Sequence, residues 1–162
     1  MNPAKTLEGK KILVVDDEND VLDFLAEALD MCKVDLASTY EEAVELLDKN
    51  IYHVAIFDIM GVRGYDLLDI ARSKDIPALM LTAHALSKDS LKKSVERGAS
   101  YYVPKDEMHH IVDFLADILE AREKNKNVWV KWYERMSGFC DRRFGPGWRE
   151  EEPEFWDVYL QR

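Results

Sequence analysis

Five short apolar runs recur along the chain. Ile12-Leu13-Val14-Val15, Val54 to Phe57 and Ala78 to Leu81 are continuous runs of strand length with no polar face, as strands buried on both sides of a parallel sheet read. Val34-Asp35-Leu36-Ala37 alternates, and Tyr101-Tyr102-Val103 is short and aromatic, so these two read as less buried edge strands. The runs begin 20 to 24 residues apart, the length of one strand plus one helix.

Helical periods fill the intervals. Val21, Leu22, Leu25, Ala28 and Leu29 make one apolar face; Ala43, Val44, Leu46 and Leu47 make a second, preceded by Thr39 and Glu42 in capping-box spacing. Leu67, Leu68 and Ala71 give a third, ended before Pro77. Ser87 to Arg97 offers only Leu91 and Val95 before Gly98, which predicts a weakly anchored helix. Ile111, Phe114, Leu115, Ile118 and Leu119 give the last. Five such units with right-handed crossovers predict an α/β fold, a doubly wound five-stranded parallel sheet of order 2-1-3-4-5, flavodoxin-like. Ligands of such sheets bind at the carboxyl ends of strands 1 and 3, where the order reverses.

Four of the runs end on polar residues: Asp16-Asp17, Asp58, Thr82 and Lys105. The three carboxylates converge on the predicted crevice and repel one another unless a cation or protons join them. A hard divalent ion, Mg²⁺ or Mn²⁺, suits an all-oxygen set and keeps waters that a phosphate can replace. Lys105 adds a fixed positive charge and Thr82 a hydroxyl for phosphoryl oxygens, around a carboxylate nucleophile. Asp16 and Asp17 alone would read as the cap of a helix over residues 18–29. In register with Asp58, Thr82 and Lys105 they read as a site.

Composition narrows the classes. The 162-residue chain has a net charge of −10, and residues 121–162 carry nine Lys and Arg against eight Asp and Glu, so the acidity belongs to residues 1–120. That sign opposes nucleic-acid binding. Cys32 and Cys140 stand far apart with no ligand spacing, which predicts two free thiols rather than a disulfide or zinc site. His53, His109 and His110 likewise lack ligand spacing, and His84 reads as an exposed loop histidine. No apolar segment suits a signal peptide or a membrane span, so a cytoplasmic protein without membrane insertion is expected. There is no G-x-S-x-G, H-E-x-x-H or Gly-rich phosphate loop, which disfavours a general hydrolase.

V-V-D-D-E (Val14 to Glu18), I-F-D-I-M (Ile56 to Met60), L-T-A (Leu81 to Ala83), G-A-S-Y-Y (Gly98 to Tyr102) and Lys105, in this order at βα spacing, resemble a response-regulator receiver domain over residues 10–120. The resemblance implies that Asp58 accepts a phosphoryl group from a phosphohistidine on a sensor histidine kinase or phosphotransfer protein. It implies Mg²⁺ or Mn²⁺ held by Asp16, Asp17, Asp58 and the Met60 backbone carbonyl, with Thr82, Ala83 and Lys105 binding the phosphate. Tyr102 matches the family's switch aromatic, although simple edge packing would equally explain it. Slow self-dephosphorylation is implied, not turnover of outside substrates. Two features depart from the usual pattern: the loop D-I-M-G-V-R-G is shortened, and Pro104 precedes the lysine, where a proline can set a rigid turn or a cis bond.

Residues 1–9 read as an N-terminal arm and 121–162 as an aromatic-rich helical extension holding all four tryptophans. Val128, Trp129, Trp132, Tyr133 and Met136 recur at helical spacing, as if the preceding helix continued. Gly138 and Gly145-Pro146-Gly147 break the chain, and Pro153 opens a last short helix. The aromatics suit a satellite core packed on the receiver, or a docking or self-association surface including a homodimer. About 40 residues with near-zero net charge and no second pair of amphipathic helices are too little for a DNA-binding helix-turn-helix. The leading expectation is a stand-alone response regulator that signals to a downstream protein partner. The alternative is a phosphorylation-independent scaffold or adaptor acting through the tail.

Overall fold

The computed structural model describes residues 2–83 and 87–160; His84 lies outside them. Five parallel strands, β1 (Lys11–Val15), β2 (Lys33–Ala37), β3 (Val54–Asp58), β4 (Ala78–Thr82) and β5 (Tyr101–Pro104), form one sheet in the order β2-β1-β3-β4-β5. The three continuous apolar runs occupy its centre. Every residue of β3 and β4 is buried, whereas β2 is largely half-exposed. Register is tight where it matters: Val15 pairs with Phe57, Asp58 with Leu81 and Thr82 with Pro104. Each polar ending therefore emerges at the same level of the sheet.

The helices α1 (Pro3–Leu7), α2 (Asn19–Ala28), α3 (Tyr40–Lys49), α4 (Gly64–Ser73), α5 (Lys88–Glu96) and α6 (Ile111–Glu123) surround it. The arm is helical because Asn2 caps it and Pro3 opens it, and its Leu7 is wholly buried. Thr39 caps α3, its hydroxyl accepting the Glu42 N–H at 3.1 Å, while the Glu42 carboxylate accepts the Ser38 N–H at 3.4 Å and the Ser38 hydroxyl at 2.9 Å, one residue before the cap. α5 buries little besides Leu91, Val95 and Ser94. A 3₁₀ segment over Lys105–His110 connects β5 to α6. All peptide bonds described are trans, including the one before Pro104.

The tail departs from the expected continuation. α6 stops at Glu123, Asn125 takes φ +53°, and α7 (Val128–Phe144) starts afresh with the Asn127 side chain accepting the Trp129 N–H. The polar stretch that separates the two apolar periods is thus a turn, which periodicity alone cannot distinguish from an exposed helical face. α7 then runs over β5, so that Tyr101 to Pro104 are all buried although β5 ends the sheet. The Trp132 indole N–H donates to the Tyr102 carbonyl at 2.8 Å, occupying an edge-strand acceptor. Arg135 bonds Asp117 of α6 at 2.5 and 3.1 Å, and Tyr101 Oη donates to the same carboxylate. A 3₁₀ turn (Trp148–Glu151) and α8 (Pro153–Tyr159) bring Trp148 and Trp156 onto Trp132. The tryptophans join the same hydrophobic core as the sheet. Cys32 and Cys140 are free thiols. Among the described residues no helix is long and apolar enough to cross a membrane.

Candidate phosphoryl-acceptor site

The carboxyl ends of β1, β3 and β4 and the residue after β5 build an acidic crevice around one ammonium. Asp16 is wholly buried and Asp58 nearly so. Lys105 Nζ lies 2.9 Å from Asp16 Oδ2, 2.8 Å from Glu18 Oε1 and 3.5 Å from Asp58 Oδ1. The Thr82–Pro104 pairing sets this reach, since it leaves Lys105 one residue beyond the sheet edge. Glu18, read from sequence as the start of a helix and the end of the V-V-D-D-E run but given no role there, also lies in the crevice. It occupies the N-cap of α2, and its N–H donates to Asp16 Oδ1 at 2.9 Å. The signal for it lay in the third acidic residue of the D-D-E run.

The loop after Asp58 closes tightly enough to explain two glycines. The Gly61 N–H donates to Asp58 Oδ2 at 3.2 Å, and a Cβ at 61 would run into the Asp17 carboxylate. A Cβ at 64 would run into the Asp58 carbonyl oxygen. Arg63 turns the chain with φ +56° before α4. The Met60 side chain is exposed, and its carbonyl accepts the Arg63 N–H at 3.2 Å. That leaves the carbonyl its second lone pair.

Asp17 and Ala83 are exposed, and Thr82 is buried at the end of β4. Tyr102 stands apart from the carboxylates, wholly buried. Its hydroxyl shares a hydrogen bond with Ser90 of α5, while its carbonyl meets Trp132 of α7. His109 and His110, which sequence spacing did not connect to a partner ligand, bring nitrogen atoms within 4.8 Å of a Glu107 oxygen and of each other on the 3₁₀ segment.

Charge in the crevice is unbalanced: Asp16, Asp17, Glu18 and Asp58 face Lys105. Burial, and then the charge of Asp16, push the Asp58 carboxyl up to about 6 despite the opposing pull of Lys105. Burial also raises Asp16, against hydrogen bonds from the Glu18 N–H and Lys105. The Lys105 ammonium is pushed upward: burial opposes its charge, but bonds to Glu18 and Asp16 and the field of Asp58 outweigh that. Asp16 Oδ2 is buried and, among the described residues, meets the Lys105 ammonium at 2.9 Å and no other donor. Oxygens of Asp16, Asp17 and Glu18 lie within 4.8 Å of one another. An all-oxygen set with excess negative charge, one of whose buried carboxylate oxygens meets a single ammonium, fits a hard divalent cation.

The family model for the response regulator receiver domain matches residues 12–116. The chain belongs to the response regulator receiver family. Among curated relatives of this receiver are the two-component response regulator ARR18 of Arabidopsis thaliana, 35% identical over 103 residues, and the heme response regulator HssR of Staphylococcus aureus, 28% identical over 120 residues. Those matches cover 60% and 71% of this chain but 16% and 54% of the relatives, so the receiver spans about half of their length or less. A CheY-like receiver domain protein from Methanospirillum hungatei superposes with a TM-score of 0.66 at 26% identity, over 73% of this chain and 99% of that one. A response regulator from Chloroflexus aurantiacus gives 0.62 at 29% identity, over 70% and 99%.

Proposed function

We propose that this receiver is a cytoplasmic phosphorylation switch, with Asp58 as the acceptor and a phosphohistidine of a sensor kinase or phosphotransfer protein as the donor. The observation that carries the reading is the buried Asp58 carboxylate set among three further carboxylates and a single lysine. In the transfer an Asp58 carboxylate oxygen forms the new bond to phosphorus as the phosphorus–imidazole nitrogen bond breaks. Lys105, already 3.5 Å from Asp58 Oδ1, pairs with the incoming phosphoryl oxygens. The Thr82 hydroxyl and the Ala83 N–H, at the end of β4, hold another. Asp16, Asp17, Asp58 and the Met60 carbonyl are the groups that would hold Mg²⁺ or Mn²⁺. Bound there, the cation offsets the carboxylate charge that otherwise opposes an incoming phosphate. Output is by protein contact, through the side of the molecule built by α5, β5, α6 and the tail.

Mg²⁺ with beryllofluoride, a tetrahedral mimic of an acyl phosphate, tests this reading by thermal denaturation. The wild type is expected to gain several degrees with the two together and less with Mg²⁺ alone, while Asp58→Asn gains nothing from beryllofluoride. Equal gains in both proteins would overturn it.

A further inference from the structure

α5 presents two different faces. Lys93 and Arg97 turn toward α4, with the Lys93 ammonium 4.4 Å over the Tyr65 ring and Arg97 paired with Asp69. Lys88 and Lys92 turn toward the tail, where Lys88 pairs with Glu151 and Lys92 with Glu152 at 2.5 Å, the latter ammonium also lying 5.2 Å over the Phe155 ring. The segment they meet, W-R-E-E-E-P-E-F-W-D-V-Y-L over residues 148–160, carries five carboxylates against Arg149. A basic face within an acidic receiver is thus covered by an acidic, aromatic segment.

The two layers of the tail are held differently. α7 is anchored by buried groups: Trp132 on the Tyr102 carbonyl and Arg135 on the buried Asp117. Residues 148–160 reach α5 through ion pairs whose side chains are 32–59% exposed, a kind of contact that salt screens and competing anions replace. Trp148 and Trp156 supply the apolar part by packing on Trp132. Both tryptophans are buried there, and the Trp148 indole N–H donates to Asp141 of α7 at 3.1 Å, so the contact with α5 can open while the tryptophans stay seated on α7. Tyr102 connects this surface to the interior, since its hydroxyl bonds Ser90 on the first turn of α5.

We propose that the Lys88–Lys92 face of α5 is a docking surface for an acidic, aromatic-bearing segment of a partner protein, and that residues 148–160 occupy it in cis until such a partner displaces them. The proposal rests on protein contact as the output but not on phosphorylation of Asp58. It is therefore tested without any phosphodonor, and its failure leaves the acceptor reading untouched.

The probe is a fluorescein-labelled peptide with the sequence of residues 147–160, added to the full chain at low and high salt. The full-length variants E151K/E152K, K88E/K92E and the combined charge swap are compared. Amide hydrogen exchange over residues 154–160 is expected to rise about two- to tenfold in each double variant and to return toward wild type in the swap. Peptide anisotropy is expected to show binding to E151K/E152K, weakening with salt, and none to K88E/K92E. Unchanged exchange in both double variants would overturn the cis contact. Peptide bound equally by the two, or by neither, would overturn the docking surface. Concentration-dependent dimerisation of E151K/E152K without peptide binding would replace the partner by a second copy and overturn the assignment.

Discussion

At the scale of single residues, Asp58 combines burial with three like-charged neighbours, and its acid–base behaviour follows. Its carboxyl titrates near 6 in the fold rather than at its ordinary 3.8. The native state therefore binds more protons than the unfolded chain between those values, and the stability contribution of this group falls as pH rises through that window. The full shift corresponds to about 3 kcal/mol. In a chelator, Asp58→Asn should stabilise the protein at pH 7 by up to about that amount, with the gain shrinking below pH 6 and vanishing near 3.8. Urea denaturation across pH measures it, and a gain that grows toward low pH would contradict it. Asp16, Asp58 and Lys105 were legible from the sequence because each breaks an apolar run whose length fixes where the sheet ends. Glu18, Gly61 and Gly64 were not, because what they do depends on how the chain closes after the strand, and no apolar period marks that.

At the scale of elements, the strand order was legible because three runs carry no polar face, one alternates and one is short and aromatic. The tail was legible only as helices. Periodicity places Trp132 and Met136 on one stripe but cannot show that the chain reverses at Asn125, nor that the stripe lands on β5. The consequence is energetic as well as topological, since an edge carbonyl buried under α7 needs a donor. Trp132→Phe keeps most of the apolar contact and removes that donor. It should cost about 1–3 kcal/mol in urea denaturation, and a loss within error would show that the Tyr102 carbonyl finds another partner. The same bond holds the backbone of Tyr102, so a role for this residue as a switch would engage α7 as well as α5.

At the scale of the whole molecule, one core runs from Leu7 under the sheet to Trp148 and Trp156 in the tail, while the polar chemistry is gathered at one end of the sheet. Among the described residues the tail bonds Tyr102, Asp117 and α5 rather than Asp58. This separation distinguishes a switch, whose tail responds to chemistry at Asp58, from a scaffold whose tail acts regardless of it. The direct measurement is intact mass after incubation with a small phosphodonor and Mg²⁺. A single phosphoryl adduct on the wild type, absent from Asp58→Asn and absent in chelator, is the predicted result. No adduct on the wild type, or an equal one on Asp58→Asn, would contradict Asp58 as the acceptor.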